Sequence, residues 1–298
     1  MVEKNQKRRI FGILQETVSS MKVLILGSHG MLGQELAKTF SNHIVIAWDR
    51  KDLDITDKTQ VFQKIAVLRP DIILNAAAYN AVDKAEEDKD SAFAVNAEAV
   101  KHLAFVSKEI GATFVHFSTD YVFEGIEKNG HKEGDAINPQ SVYAKSKAKG
   151  EEYLREIGEK YYLIRLSRLF GKPGIGDGSK KSFVEAILNL AAEKKELEVV
   201  NEELSSPTYA PDLAKITKEI VANKIPYGIY HGTNGGSCTW YEFADEALKL
   251  KNISCKLIPV PAGRFPRPAQ RPKYSILLNT KLSPARSWQE ALEEYLKI

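Results

Sequence analysis

The first half of the chain alternates between short apolar runs and longer stretches in which apolar residues recur at helical spacing. The runs are rich in Val and Ile, which predicts buried strands, and the stretches between them predict helices. Strands are predicted at Lys22–Leu26, Ile44–Ala47, Ile72–Leu74, Thr113–Phe117 and Tyr161–Leu166, and helices at Met31–Phe40, Asp57–Leu68, Asp90–Ile110 and Tyr143–Ile157. Strands joined by helices favour right-handed crossovers, so the predicted fold class is α/β with a doubly wound parallel sheet.

The second half is less regular. Residues 171–178 contain several glycines and a proline and are predicted to form a loop. Five prolines fall within residues 259–272, and they exclude a helix or a central strand in that segment. Helices are predicted at Phe183–Glu193, Asp212–Asn223, Tyr241–Leu250 and Trp288–Leu296. We expect residues 1–20 to be a flexible extension, residues 21–167 a dinucleotide-binding domain, and residues 168–298 mainly a smaller α/β substrate-binding lobe, with segments that can return to the first domain.

The amino-acid composition of the chain argues against several classes of function. The 298 residues carry 42 basic and 39 acidic side chains, and no stretch concentrates the basic ones, which argues against a nucleic-acid partner. No apolar run is long enough for a membrane helix, and the polar start is not typical of a secretory signal, so we expect a cytoplasmic protein. The only cysteines, Cys238 and Cys255, have no metal-ligand spacing, and we expect no metal site.

A glycine-rich turn lies between the first predicted strand and the first predicted helix. Gly27, Gly30 and Gly33 have the spacing at which the first glycine permits a tight turn, the second admits a pyrophosphate and the third packs helix against strand. The N–H groups at the start of the helix would then face the phosphates. The turn predicts a Rossmann-type dinucleotide site.

The residues after the second strand bear on which dinucleotide is bound. Asp49 lies 22 residues after Gly27, where an acidic side chain typically bonds the adenosine ribose. Arg50 and Lys51 follow directly and could contact a 2′-phosphate instead. We therefore expect either NADH or NADPH as cofactor. Asp54 and Ile55 could flank the adenine, although a solvated loop explains them almost as well.

Tyr143 and Lys147 lie four residues apart on one helix, and Thr119 ends the fourth strand, at the sheet edge where such folds bind ligands. Reduction of a carbonyl needs a hydride and a proton. A tyrosine with a pKa of about 10 is a weak acid near neutrality, and a nearby ammonium can lower that pKa. The pair alone is common on solvated helix faces, so the prediction rests on its combination with Thr119 and the glycine turn.

At this point the sequence resembles the extended short-chain dehydrogenase/reductases and, within them, the dTDP-4-dehydrorhamnose reductase family. The resemblance runs from Met21 nearly to the C-terminus. It is carried by the segments Gly30–Gly33, Asn75–Ala78, Ala81–Glu86, Ser118–Phe123, Tyr143–Lys147, Pro207–Thr208, Thr239–Tyr241 and Arg271–Pro272.

The resemblance implies reduction of the C4 carbonyl of dTDP-4-dehydro-L-rhamnose to dTDP-L-rhamnose. It implies a catalytic set of Thr119, Tyr143 and Lys147, and sugar contacts at Thr119 and Asp120. With the glycine turn, the expected cofactor-binding residues are Gly27, Gly30, Met31, Leu32, Gly33, Asp49, Asp54, Ile55, Ala76, Ala77, Ala78, Tyr79, Asn80, Tyr143 and Lys147.

The chain departs from the family pattern at three places. Arg168 stands where the family usually has a Trp near the sugar, Lys181–Phe183 replaces an Asn-Asn-Phe segment, and residues 1–20 have no counterpart. We expect Arg168 either to contact the substrate or to form a structural ion pair. Arg267 and Arg271 are the candidate partners of a diphosphate.

Three alternatives remain at this stage. A nucleotide-sugar dehydratase is disfavoured because Tyr121 stands where that class has a glutamate after Thr-Asp. A reductase or epimerase of another nucleotide sugar stays open. A different class of function also stays open, that of a non-catalytic regulatory subunit of the methionine adenosyltransferase type. The expected partner is a dTDP-sugar, without nucleic acid or membrane, and a homodimer is the candidate assembly.

Overall fold

The computed structural model describes residues 20–175 and 182–297. The predicted N-terminal extension, apart from its last residue, and the departure at Lys181 lie outside these residues. Within the described residues a six-stranded, fully parallel sheet forms the centre of the molecule. Its strands lie in the order Ile44–Trp48 (β2), Lys22–Leu26 (β1), Ile72–Asn75 (β3), Thr113–Thr119 (β4), Tyr161–Leu166 (β5) and Gly228–His231 (β10). The expected α/β fold with a doubly wound parallel sheet is confirmed.

The first five strands and their helices follow the predicted alternation. They are β1 (Lys22–Leu26), α1 (Met31–Thr39), β2 (Ile44–Trp48), α2 (Lys58–Leu68), β3 (Ile72–Asn75), α3 (Lys89–Phe93), α4 (Ala99–Ile110), β4 (Thr113–Thr119), α5 (Val142–Ile157) and β5 (Tyr161–Leu166). Chain order reverses between β1 and β3, so their carboxyl ends open the crevice in which such sheets bind ligands.

The later elements, in residues 168–175 and 182–297, are called the second lobe here, and one of them, β10, also completes the central sheet. They are β6 (Leu169–Phe170), α6 (Phe183–Glu193), β7 (Glu196–Val200), β8 (Leu204–Ser205), β9 (Thr208–Tyr209), α7 (Ala210–Ala222), β10 (Gly228–His231), α8 (Trp240–Leu250), β11 (Lys256–Val260), β12 (Tyr274–Ser275) and α9 (Trp288–Lys297). Strand β10 pairs with β5, whereas β6–β9, β7–β11 and β8–β12 form separate two-stranded sheets.

Both faces of the central sheet are buried, which explains the nearly continuous apolar runs of its strands. On one face Val23 and Ile25 of β1 pack in a cluster with Leu36 of α1, and α7 contributes to the same cluster. On the other face Leu24 packs in a cluster with residues of α2 and α4, among them Val61. None of the helices in the described ranges is long and apolar enough to cross a bilayer.

The long helix predicted at Asp90–Ile110 differs from the structure in its first half. It is interrupted by a π-helical turn at Ala94–Glu98, which joins α3 to α4. Such turns insert an extra residue into the helix and are frequent at functional sites. Here the turn buries Asn96, which is 1% exposed, beneath the edge of the ligand crevice.

Candidate active site

A cavity of about 670 Å³ opens at the carboxyl ends of β1, β3 and β4, between the sheet and the second lobe. The predicted site residues on its wall are Gly30, Met31, Leu32, Ala76, Ala77, Ala78, Tyr79, Asn80, Thr119, Asp120, Tyr143, Lys147 and Arg168. Gly27, Gly33, Asp49, Asp54, Ile55 and Arg271 are not part of this wall. The cavity therefore joins most of the expected dinucleotide segment to the expected catalytic side chains.

Gly27 and Gly33 lie behind the cavity wall and determine the conformation of the glycine turn. Gly27 has a φ of 74°, and a Cβ there would lie 2.7 Å from the backbone nitrogen of Ala77. A Cβ at Gly33 would lie 2.2 Å from the carbonyl oxygen of Gly27. Only glycine permits these approaches, so both residues bring the start of α1 close to the ends of β1 and β3.

The start of α1 has unsatisfied donors at the cavity. Its N-cap is Gly30, which has no side chain to accept from the first-turn N–H groups, two of which belong to the wall residues Met31 and Leu32. The buried hydroxyl of Ser28 in the same turn has no hydrogen-bond partner within the described structure. Uncapped amides and a free hydroxyl at a helix N-terminus suit an anionic group such as a pyrophosphate.

The segment after β3 is held by Asn96 from the π-helical turn. Asn96 Oδ1 accepts from the backbone N–H of Tyr79 at 2.9 Å, and Nδ2 donates to the carbonyl of Tyr79 at 3.0 Å. Nδ2 also donates to the hydroxyl of Ser146 on α5 at 3.0 Å, and that hydroxyl donates to the carbonyl of Tyr143. One buried amide thus links the expected cofactor segment to the helix that bears Tyr143.

Helix α5 is capped at its N-terminus by Ser141, whose hydroxyl accepts from the N–H of Ala144 at 3.2 Å. One turn apart on its buried face lie Tyr143, 8% exposed, and Lys147, 2% exposed. Both line the cavity together with Thr119, the last residue of β4. The structure thus brings the three predicted catalytic residues to one wall of the cavity.

The phenol of Tyr143 has a low acidity in this environment. Burial is the main reason why the pKa of Tyr143 is raised to about 12; a hydrogen bond with Thr119 lowers this pKa, and the nearby carboxylate of Asp120 raises it. The phenol therefore holds its proton at neutral pH. A positive charge or a developing alkoxide beside it would be needed to draw the proton away.

Lys147 is buried without a carboxylate partner within the described structure. Its Nζ donates to the carbonyl of Phe117 at 2.6 Å and lies 3.3 Å from Nε2 of His116. Burial lowers the pKa of Lys147 to about 8, and the more distant Glu151 raises it. Both oxygens of Glu151 accept hydrogen bonds from Arg165 instead. The pKa of Lys147 is therefore close to neutral pH, so that a small change in its surroundings alters how much of it is charged.

Asp120 follows Thr119 and is fixed by three hydroxyl groups. Its Oδ2 accepts from Ser167 at 2.7 Å and from Ser275 at 2.6 Å, and its Oδ1 accepts from Thr119 at 3.1 Å. Burial raises the pKa of Asp120, while these hydrogen bonds lower it. Since Ser275 belongs to the second lobe, Asp120 ties that lobe to the end of β4.

Arg168 lies in the cavity wall in the left-handed conformation, with a φ of 42°. Its guanidinium carbon is 3.9 Å from the ring centroid of Trp240, and its two terminal nitrogens donate to the carbonyls of Cys238 and Glu203. Trp240 in turn donates from Nε1 to the carboxylate of Glu203 at 2.9 Å. Within the described residues Arg168 therefore has a stacking partner rather than an ion pair, and an aromatic ring still stands in this wall.

The loop after β2 lies at the far end of the glycine turn. Asp49 Oδ2 is 2.8 Å from Nδ1 of His29, and Asp49 Oδ1 accepts from the N–H of Lys51 at 2.8 Å. The side chain of Arg50 is 90% exposed and lies 3.8 Å from Asp54. Asp49 and Arg50 are thus both accessible near the turn, whereas Ile55 packs in the core.

The arginines expected to meet a diphosphate are engaged with carboxylates. Arg267 forms an ion pair with Glu203, and Arg271 bonds both oxygens of Asp83. Arg271 precedes Pro272, which lines the cavity. A ligand phosphate at either guanidinium would compete with an existing carboxylate.

Sequence reasoning missed His116, Asn96, Trp240 and Glu203. His116 and Asn96 could have been suspected because they are polar residues within otherwise buried elements, a signal that is specific only once burial is known. Trp240 lay inside a matching motif but was assigned no contact, since nothing in the sequence places α8 against the cavity.

The comparisons with known proteins agree with this geometry. The family described as the RmlD substrate binding domain matches residues 21–298. The chain is 38% identical over 291 residues to a dTDP-4-dehydrorhamnose reductase from Aggregatibacter actinomycetemcomitans, with 91% of this chain and 97% of that protein covered.

Solved structures give the same result. A dTDP-4-dehydrorhamnose reductase from Clostridium acetobutylicum has a TM-score of 0.88 and 40% sequence identity, covering 93% of this chain and 99% of its own. One from Bacillus anthracis, in complex with NADP, has a TM-score of 0.89 and 35% identity over 93% of this chain and 99% of its own.

Proposed function

The chain belongs to the RmlD family of dTDP-4-dehydrorhamnose reductases, and we propose that it reduces the C4 carbonyl of dTDP-4-dehydro-L-rhamnose to give dTDP-L-rhamnose. The observation that carries this proposal is that Thr119, Tyr143 and Lys147 meet on one wall of a cavity that continues to the glycine turn. The cavity has a place for each of the two ligands. The glycine turn lies at the sheet crevice, where the dinucleotide would bind, and the opposite wall belongs to the second lobe, where the sugar nucleotide would bind.

The residues of the turn fit a nicotinamide dinucleotide. The first-turn amides of α1, capped by no side chain, and the unpartnered hydroxyl of Ser28 offer donors to a pyrophosphate. Ala76, Ala77 and Ala78 present a surface of small residues, and Tyr79 is fixed by Asn96. Bound NADPH or NADH supplies the hydride for the carbonyl carbon.

Tyr143 is the proton donor in this proposal. Its phenol keeps its proton at neutral pH, so it is in the correct form to protonate the oxygen of a carbonyl as that oxygen gains negative charge. Thr119 hydrogen-bonds to the same phenol and can orient the substrate oxygen towards it. Lys147, with its ammonium one turn away, lowers the cost of forming the phenolate that remains.

The second lobe is proposed as the substrate-binding unit. Asp120 and Arg168 stand on the cavity wall where the sugar would lie, and Arg271 stands beside the wall residue Pro272. Binding of the diphosphate at Arg271 would require the guanidinium to be shared with Asp83. On this basis we assign residues 21–167 mainly to the dinucleotide and residues 168–298 mainly to the sugar nucleotide.

A cytoplasmic location and a homodimer complete the proposal. Cys238 and Cys255 are both free thiols, which is typical of reducing compartments. Cell fractionation tests the location, and sedimentation equilibrium tests the assembly.

A panel of nucleotide 4-ketosugars tests the proposed substrate. We expect the purified protein to oxidise NADPH fastest with the dTDP-linked 4-keto-6-deoxyhexose, and the Tyr143→Phe variant to serve as the inactive control. Turnover of a different nucleotide ketosugar alone would overturn the substrate while leaving the reductase. Absence of turnover with every member of the panel would overturn the enzymatic function itself.

A further inference from the structure

A chain of buried polar groups leads from the cofactor segment to Lys147 behind the cavity wall. Asn75 ends β3 and is 1% exposed, and His116 lies opposite it on β4 and is also 1% exposed. Nδ2 of Asn75 is 3.2 Å from Nδ1 of His116, and Nε2 of His116 is 3.3 Å from Nζ of Lys147. The proposed reaction gives no role to either Asn75 or His116.

The hydrogen-bond needs of Lys147 give His116 a role. An ammonium has three N–H donors, and a buried donor without an acceptor is costly. One donor of Lys147 is satisfied by the carbonyl of Phe117, and one can face the cavity. The third faces Nε2 of His116, which can accept only if its proton lies on Nδ1.

The orientation of the Asn75 amide is coupled to which nitrogen of His116 carries that proton. Oδ1 of Asn75 accepts from the N–H of Ala77 at 3.2 Å, so Nδ2 faces His116 and makes Nδ1 an acceptor. The imidazole proton then lies on Nε2, where it can donate only to a neutral Lys147 amine. Rotation of the amide by 180° places Oδ1 against an Nδ1–H and frees Nε2 to accept from the ammonium, and it gives up the hydrogen bond from the N–H of Ala77.

We propose that His116 is a positioning residue for Lys147: it stabilises the ammonium by accepting at Nε2, and its tautomer follows the charge of Lys147. The proposal rests on the proposed function only in that Lys147 supports Tyr143. The states with charged and with neutral Lys147 differ by one proton. Lys147 loses this proton to solvent when its ammonium becomes an amine, and His116 is neutral in both states. Burial and the neighbouring ammonium both lower the pKa of His116, which keeps the ring neutral.

The other ionisable groups around Lys147 do not replace this contact. Tyr143 and Glu151 face it from α5, and Arg165 lies on β5. Glu151 is bound through both oxygens by Arg165, at 3.0 and 2.7 Å, so it acts on Lys147 only at a distance. Within the described residues His116 is therefore the side chain that reaches Nζ directly.

The tautomer of His116 can be measured without turnover. Full-length protein labelled with ¹⁵N-histidine is titrated by NMR from pH 6 to 10. The His116→Gln variant identifies the signals of His116, and couplings to the ring C–H protons distinguish Nδ1 from Nε2. We expect a neutral ring throughout, whose proton moves from Nδ1 to Nε2 as Lys147 loses its charge. The Lys147→Met variant should abolish the change. A single unchanging tautomer, or the same change in Lys147→Met, would overturn the proposal.

The pH profile of reduction gives a second readout, which a purely structural role would not move. Loss of one neutral acceptor should shift the alkaline limb of kcat/KM in His116→Leu down by about 0.5 to 1 pH unit. His116→Gln keeps an acceptor near Nζ and should restore the limb, and His131→Gln, whose ring packs on Phe123, should leave it in place. An unmoved limb in a folded His116→Leu variant would contradict the proposal.

The outcomes also separate this proposal from the proposed function. If Lys147→Met retained full reductase activity, the role of Lys147 in catalysis would be wrong, while the tautomer change in the wild-type protein could still be observed. If Lys147→Met were inactive and the tautomer did not change, the function would stand and the role of His116 would fall. Because the NMR measurement uses the wild-type protein, an unstable His116→Leu variant does not weaken it.

Discussion

The side-chain amide of Asn96 binds both backbone polar atoms of Tyr79, with hydrogen bonds of 2.9 and 3.0 Å. Asn96 reaches Tyr79 because the π-helical turn at Ala94–Glu98 directs it from the helix towards the end of β3. The same amide donates to Ser146 on α5. The shape of the expected cofactor segment is thus determined by a residue outside the cavity wall.

We expect Asn96→Ala to weaken cofactor binding more than it slows the chemical step. The change removes the three hydrogen bonds of a buried amide, each worth about 1 kcal/mol, so the free energy of unfolding should fall by about 2 to 4 kcal/mol. Urea unfolding and NADPH fluorescence titration measure the two effects. Asn138→Ala, at an exposed amide, is the control, and equal NADPH affinity in the Asn96 variant and the wild type would contradict this role.

Arg168→Ala should raise the KM for the sugar nucleotide by about tenfold and leave kcat within about threefold of the wild type. The variant removes a guanidinium from the cavity wall where the sugar nucleotide is proposed to lie, and the loss of a hydrogen bond to that charged group, worth about 1.5 kcal/mol, corresponds to about tenfold in affinity. Steady-state kinetics at saturating NADPH provide the measurement. Arg168→Lys keeps the charge but not the planar stack, so it should fall between the two. An unchanged KM in both variants would show that Arg168 supports only the second lobe.

The enzyme should discriminate little between NADH and NADPH. Asp49 favours a free ribose hydroxyl, whereas Arg50 and Lys51 favour a 2′-phosphate, and opposing contacts of about 1 to 3 kcal/mol largely cancel. We expect the ratio of kcat/KM values to stay below about a hundredfold, which corresponds to about 2.7 kcal/mol. Asp49→Ala should shift the ratio towards NADPH and Arg50→Ala towards NADH. A shift of the ratio in the same direction in both variants would show that this loop does not discriminate between a free ribose hydroxyl and a 2′-phosphate.

Acid should destabilise the fold below about pH 6.5 because His231 is buried. Burial lowers the pKa of His231 to about 4, from about 6.5 in the unfolded chain, so the unfolded state binds the proton first as pH falls. The stability is fully present above pH 6.5 and is lost progressively towards pH 4, by about 3 kcal/mol for this group. Urea unfolding at several pH values should show a smaller loss in His231→Gln than in the wild type. Equal losses in the two proteins would assign the acid sensitivity to other groups.

Much of the fold and the core of the candidate site could be predicted because the signals are local. The glycine turn follows a strand by sequence order alone, and Tyr143 and Lys147 share a helix face by their spacing. Both features are found in the structure at the expected places. The strand order and the position of the cavity then follow from the general topology of doubly wound sheets.

The rest depends on contacts between residues far apart in sequence. Nothing near Lys147 in the chain indicates that His116 and Asn75 form a polar chain behind it, since the contact requires the pairing of β3 with β4. The stack of Arg168 on Trp240 likewise depends on how α8 docks. The π-helical turn at Asn96 has no distinct sequence signal, so the sequence predicted the helix around it but not the turn itself.

The role of Tyr143 as proton donor is tested most directly by the rate of hydride transfer in a single turnover with Tyr143→Phe. Enzyme saturated with NADPH is mixed with dTDP-4-dehydro-L-rhamnose, and loss of reduced nicotinamide is followed by absorbance, with NADPH affinity measured separately. Loss of the general acid should slow the wild-type rate by about a hundredfold or more, with little change in NADPH affinity, because the phenol donates the proton. Hydride transfer at nearly the wild-type rate in Tyr143→Phe would contradict the assignment of Tyr143 as the proton donor.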